Sequence, residues 1–211
     1  MKIAVVGATG RTGRLVVGLA LAAGHTVTAV ARNPARLPEF ATGTPLTAQA
    51  DIHRPGSLHG PLAGQDAVVA TLGTADRRPT TVFSDGAREL TAAARAGGVR
   101  HLVTMGSAGL ETSQLPFAQR MVTRLVVNRV YREVHHDLAR MEAVLDASDT
   151  DWTVVRVPML KDGPPAAHPL VSYDRPLPRA GTATRATVAA WITDHLGDPE
   201  TFRRLVHLAD G

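Results

Sequence analysis

No cysteine occurs among the 211 residues. That absence removes disulfides, thiolate nucleophiles and cysteine metal sites, and it suits a reducing cytoplasm. Long apolar runs are missing too: the longest, Leu15 to Ala23, falls far short of the roughly 20 residues a membrane span needs. The amino terminus lacks the sequence of basic leader, apolar core and small-residue cleavage site, because Lys2 runs directly into a strand-like stretch. A soluble protein that stays in the cytoplasm, with no membrane partner, is the expectation. No HExxH or comparable ligand spacing occurs and the nine histidines are dispersed, so no metal is expected. The net charge is +4, with 21 arginines to two lysines, yet no run of five basic residues forms. Charge so scattered argues against a nucleic-acid partner.

What is present is an alternation. Short apolar runs at Lys2 to Val6, Thr26 to Ala31, Leu46 to Ala50, Ala67 to Leu72, His101 to Met105, Trp152 to Val157 and Leu205 to Leu208 read as strands. Helical patterns separate most of them, at Thr12 to Ala23, Thr80 to Ala96, Phe117 to Ala147 and Arg185 to Leu196. Near-continuous apolar strands alternating with helices predict an α/β protein with a doubly wound parallel sheet. Gly98 and Gly197 sit where helix C-caps belong and Thr184 where an N-cap does. Length favours one domain over residues 1–211, with substrate-side loops mainly at 107–120 and 157–181. The proline-rich stretch from Lys161 to Gly181 reads as a loop with an edge strand.

One motif carries chemistry. "GATGRTG" follows a strand and opens a helix, the context in which glycines permit a tight bend (Gly7), backbone approach to a pyrophosphate (Gly10) and close helix packing (Gly13). Free amides at the helix start meet the anion, and Thr9, Arg11 and Thr12 add side-chain donors. About 20 residues further on, a dinucleotide site selective for NAD carries an acid for the ribose hydroxyls. Here "VARNPAR" stands there, with no acid between Gly13 and Glu39. A carboxylate would repel a 2′-phosphate, whereas Arg32 and Arg36 can each bind one with about 1.5–3 kcal/mol, so the expected cofactor is NADP. Asp51, at the third strand's end, falls beside the adenine, and Leu72 to Thr74 end the fourth strand against the cofactor's middle.

The reacting groups are less legible. Ser107, Pro158 and Met159 lie at strand ends, and Tyr131 and His135 are one helical turn apart. Tyr131 also falls on an apolar stripe with Val127, Val134, Leu138, Met141 and Leu145, which reads as core ahead of a catalytic role. His135 and His136 read as solvated, and Arg156 either touches substrate or pairs with an acid.

Five segments in order, "GATGRTG", "ARNPARLP", "GQDAVVATLGT", "PTTVFSDGAREL" and "LARMEAVLDAS", resemble the NADPH-dependent flavin reductase and biliverdin-IXβ reductase family of atypical short-chain dehydrogenases, relatives of NmrA-like proteins. The resemblance covers residues 1–163 or so. It implies one cytoplasmic Rossmann domain that reduces flavins or linear tetrapyrroles by hydride transfer from NADPH. It also implies that Gly7, Thr9, Gly10, Arg11 and Thr12 hold the pyrophosphate, and Arg32 and Arg36 the 2′-phosphate. Asp51 and Ile52 would flank the adenine, and Leu72, Gly73 and Thr74 would line the ribose side. Ser107, Pro158 and Met159 would frame the nicotinamide. A histidine of the biliverdin-reducing members falls here at Leu138, and extra residues lie between Leu110 and Tyr131. Both departures are on the substrate side. The expected partner is a small planar acceptor, flavin-like, quinone-like or tetrapyrrole. A carbonyl reductase using Tyr131 and His135 is a further possibility. A regulatory protein that binds NADP and signals through a protein partner is the alternative.

Overall fold

The computed structural model describes residues 1–74, 79–111, 121, 131–178 and 181–211. Its elements are β1 (Lys2–Val6), α1 (Arg11–Ala22), β2 (Thr26–Ala31), β3 (Leu46–Gln49), the short α2 (His59–Leu62), β4 (Ala67–Ala70), α3 (Val82–Gly97), β5 (His101–Ser107), α4 (Arg132–Asp146), β6 (Asp151–Val157), β7 (Met159–Lys161), β8 (Leu170–Tyr173), β9 (Thr182–Thr184), α5 (Arg185–Asp194) and β10 (Arg204–Ala209).

Buried strands need apolar cover on both faces, and β1 shows how the sequence meets that demand. Ile3 and Val5 join a core with Val16 and Val17 of α1 and Val188 and Ile192 of α5. Ala4 and Val6 join the opposite core with Leu90 of α3 and Met141 of α4. Burying one Val or Leu contributes about 1.5–3 kcal/mol, so alternate residues of the central strands hold helices on both sides. Eight strands form one sheet in the order β3-β2-β1-β4-β5-β6-β10-β8. The first seven are mutually parallel and β8 is the antiparallel edge. β7 and β9 pair separately as a small parallel ribbon. This is the doubly wound α/β architecture expected from the alternation.

Chain order reverses between β1 and β4, so a crevice opens at their carboxyl ends. Among the described residues no helix is long and apolar enough to cross a membrane. Each expected strand is found with ends shifted by two residues or fewer, and Gly98 and Gly197 adopt the positive φ of +70° and +76° that helix C-termini favour. The helix expected over Phe117 to Ala147 is described from Arg132 to Asp146; residues 117–120 and 122–130 of it lie outside the described residues. The 161–181 stretch contains the expected edge strand, β8, but β7 and β9 flank it as well. Three-residue strands among prolines present no alternation to read.

Candidate functional site

The glycine loop is tied down before any ligand is considered. The N–H groups of Gly7 and Ala8 both donate to Val30 O of β2, and Gly10 N–H donates to Gly7 O. Thr71, just beyond β4, closes the other side: its N–H donates to Val6 O at 2.9 Å and its hydroxyl to Val6 O and Gly7 O. Gly7 adopts φ +83°, where a side chain is strained. A Cβ on Gly13 would lie 2.4 Å from Gly7 O and 2.8 Å from Thr71 Oγ1. Thr71 therefore explains two of the three glycines, and sequence reasoning missed it because it sits 64 residues away from the loop it braces. Among the described residues no side chain caps the start of α1, and no acid occupies its first turn, so nothing described there compensates its free amides. Gly10 is the N-cap and is exposed, Thr9 is half-buried, and Thr12 is buried.

Arg32 follows β2 and lines a cleft of about 330 Å³ with Gln49, Ala50, Asp51, Arg54 and Ser57. Gln49 Nε2 donates to Arg32 O at 3.0 Å, and Asp51 Oδ1 accepts the His53 N–H at 3.1 Å. Arg36 ends the short turn Pro34–Arg36, its carbonyl accepting from Arg14, and is not among the lining residues. Arg54 is a residue the sequence reading missed. Ile52 and Leu72 pack their side chains against the α3 core, while Gly73 leaves open space where a Cβ would stand.

A larger cavity, about 670 Å³, begins at Thr74 and runs along the carboxyl ends of β5, β6 and β10. Ser107, Pro158 and Met159 line it, and so do Tyr131 and His135. The apolar stripe holds for Leu138, Met141 and Leu145, which are buried, but Tyr131 is 41% exposed and sits at the N-cap of α4. Its ring stacks near His135, with centroids 6.4 Å apart. His135 is half-buried and its Nε2 lies 3.1 Å from Ser107 Oγ, which corrects the expectation of a solvated His135; only His136 is exposed. Ser107 Oγ also accepts the Gly109 N–H at 3.2 Å. A Cβ on Gly109 would come within 2.7 Å of the imidazole, so a side chain there would displace the ring. Burial, and then the charge of His136, lower the His135 pKa, so the ring is neutral at pH 7.

The cavity floor is ionic but balanced. Arg156, only 7% exposed, donates from Nε and Nη2 to Glu142 at 2.9 and 2.7 Å and from Nη1 to Glu111 at 3.3 Å. Burial opposes its charge, but the hydrogen bonds it donates to Glu142 and Glu111 and its attraction to both carboxylates outweigh that and raise its pKa. The open question about Arg156 is thus answered in favour of acid pairs. Glu142 lies seven residues beyond His135 on α4, a same-face spacing that could have flagged it. Beside Arg156 on β10, His207 is buried and its pKa lowered, by burial first and then by the Arg156 charge.

Asp162 links the two halves. Arg185 Nη1 donates to its Oδ1 at 2.7 Å and Arg11 Nη1 to its Oδ2 at 3.3 Å. The β7–β9 ribbon is thereby fastened to the glycine loop. Asp210 fastens the same ribbon to the sheet by accepting from Thr184 N–H, Thr187 Oγ1 and Lys161 Nζ.

Solved structures with this architecture come from several bacteria. The oxidoreductase ylbE of Lactococcus lactis superposes with a TM-score of 0.82 at 17% identity, over 100% of this chain and 91% of that one. A short-chain dehydrogenase/reductase of Veillonella parvula in complex with NADP gives 0.80 at 17% identity, over 99% and 94%. ChuY of Escherichia coli, described as an anaerobillin reductase, gives 0.76 at 19% identity, over 100% and 97%. These identities speak for a shared fold. A family model described as NAD(P)H-binding matches residues 7–199, from the glycine loop to the turn after the last helix. The chain belongs to this NAD(P)H-binding family.

Proposed function

We propose that the protein is an NADPH-dependent reductase that delivers a hydride to a planar acceptor, flavin-like, quinone-like or tetrapyrrole. One observation carries the reading: a hydrogen-bonded Ser107–His135 pair stands on the wall of a cavity of about 670 Å³ that starts at the same sheet edge as the glycine loop. Small-molecule sites occupy about 300–1,000 Å³. The relative solved with NADP and the one described as an anaerobillin reductase support the choice of cofactor and of a large acceptor.

The residues present suit a dinucleotide, since the start of α1 is acid-free and has no cap among the described side chains, and Gly7 and Gly13 leave no room for a Cβ at their own positions. Gly7, Thr9, Gly10, Arg11, Thr12 and Gly13 would hold the pyrophosphate. Arg32 and Arg36 supply positive charge for the 2′-phosphate, Asp51 and Ile52 flank the adenine, and Leu72, Gly73 and Thr74 line the ribose side. Pro158 and Met159 frame the nicotinamide, which supplies the hydride when bound. Neutral His135 holds the Ser107 hydroxyl, and Ser107 orients the acceptor. A flavin-like acceptor takes its proton from water, so no strong acid is needed in the cavity. Tyr131, at the cavity mouth, bounds the acceptor.

The test mixes purified protein with NADPH and follows its absorbance with FMN, riboflavin, a quinone and a biliverdin in turn. Consumption with at least one acceptor is expected. Tight NADPH binding without consumption would sink the reductase reading and favour an NADP-binding regulator that acts through a protein partner.

A further inference from the structure

Arg32 and Arg54 line the same cleft of about 330 Å³, and neither has an acidic partner among the described residues. Among the described residues Asp51 is the one acid lining that cleft, and its Oδ1 accepts the His53 N–H. Two guanidiniums against one carboxylate leave the lining of this concavity with a net positive charge, which favours an anion that can take charge-assisted hydrogen bonds from both arginines.

The backbone that carries Arg54 is set in advance. Arg54 N–H donates to Asp51 O at 2.9 Å and Ser57 N–H to Arg54 O at 3.1 Å. Ser57 Oγ donates to Asp51 O at 2.6 Å, across the same turn. Glu89, a buried carboxylate of α3, accepts the N–H groups of Gly56 and Leu58 at 3.0 and 3.1 Å. A buried acid is thus committed to the turn on which Arg54 stands, and Gln49 Nε2 donates to the carbonyl of Arg32. Preorganised donors bind an anion without first ordering a loop.

We propose that Arg54 is the second guanidinium of the 2′-phosphate subsite, acting with Arg32, and so a specificity-determining residue for NADPH over NADH. This rests on the dinucleotide reading above and assigns to the β3–α2 turn a role that the sequence assigned to Arg36.

The probes are 2′,5′-ADP and 5′-AMP, which differ by the 2′-phosphate alone, titrated calorimetrically into wild type, Arg54→Ala, Arg54→Lys, Arg36→Ala and Arg95→Ala. Arg95 is an exposed arginine on α3, away from both cavities, and its variant controls for general loss of positive charge. Loss of one charge-assisted contact predicts that Arg54→Ala weakens 2′,5′-ADP by about tenfold or more and 5′-AMP by less than about threefold. Arg54→Lys should recover part of the loss, since it restores the charge but not the planar fork. Arg36→Ala should cost less than Arg54→Ala. Unchanged thermal unfolding of Arg54→Ala establishes that the loss is local. If wild type binds both probes equally, the NADPH preference and the role of Arg54 fall together. If wild type prefers 2′,5′-ADP and Arg54→Ala does no more than Arg95→Ala, or weakens both probes alike, the NADPH preference stands and Arg54 is the wrong residue.

Discussion

Arg32 and Arg54 stand in one cleft without acidic partners among the described residues, whereas Arg156 and Arg185, which line the larger cavity, are each held by carboxylates. The two regions sit on the same sheet edge but use arginine oppositely. Unpaired guanidiniums on an exposed turn cost little in water and leave a site ready for an anion. A guanidinium buried as deeply as Arg156 must be neutralised where it stands, so its charge belongs to the fold. The contrast teaches that arginine count says nothing about ligand charge until each pairing is known. Under the proposed function, the first region reads the cofactor's phosphates and the second offers an acceptor a cavity whose described arginines are already satisfied.

Removing the buried cation should break this contrast most visibly. Arg156→Ala leaves the largely buried Glu142 without its bidentate partner, and breaking such a pair costs about 3–5 kcal/mol. Arg54→Ala should shift stability by less than about 0.5 kcal/mol. Urea unfolding of both variants measures the difference directly, and equal losses would end the distinction between structural and ligand-directed arginines.

Acid should act next, at the end of β5 opposite the cavity. His101 of β5 is locked neutral: Gly197 N–H donates to its Nδ1, and its Nε2 bonds Thr153 Oγ1, which donates on to Thr201 O. Burial lowers its pKa to about 4 from 6.5. Between those values the unfolded chain binds a proton that the folded chain refuses, so this contribution is fully present above pH 6.5 and is lost as pH falls toward 4. The expected loss is about 3 kcal/mol, with His135 and His207 adding in the same direction because burial lowers both. Unfolding free energy measured across that range should slope downward in wild type and much less in His101→Gln.

On the cofactor side the matching perturbation is steric. Gly13→Ala places a Cβ against Gly7 O and Thr71 Oγ1, which should cost about 2 kcal/mol and greatly weaken NADPH binding. Unaltered NADPH affinity in a folded Gly13→Ala protein would mean that the loop does not carry the pyrophosphate. The smallest effect belongs to Ser107→Ala. Loss of one hydrogen bond to the acceptor, about 1 kcal/mol, predicts a fall in kcat/KM of roughly fivefold to tenfold with stability nearly unchanged. Turnover unaffected with every active acceptor would remove Ser107 from the site.

The strands, four of the helices' cores and the glycine loop were legible because each depends on neighbours within a few residues. Periodicity sets which face of α1 or β1 is buried, and "GATGRTG" declares its own turn. Arg32 was legible for the same reason, by its distance from that loop. Arg54, Thr71, Glu111 and Asp162 were not, and β7 and β9 were too short and too rich in nearby proline to show a pattern. Tyr131 looked like core because it continues the stripe of Leu138 and Met141, yet α4 begins just after it and leaves its ring at the cavity.

By itself, then, the sequence determined the α/β alternation, the dinucleotide loop and the absence of an acid after β2, all encoded in local spacing. The tertiary structure decided which charges meet. Ser107 reaches His135 across 28 residues, Arg156 reaches Glu111 across 45, and Arg11 reaches Asp162 across 151. Such pairings depend on the register of parallel strands and the order in which they lie, and no local pattern encodes either.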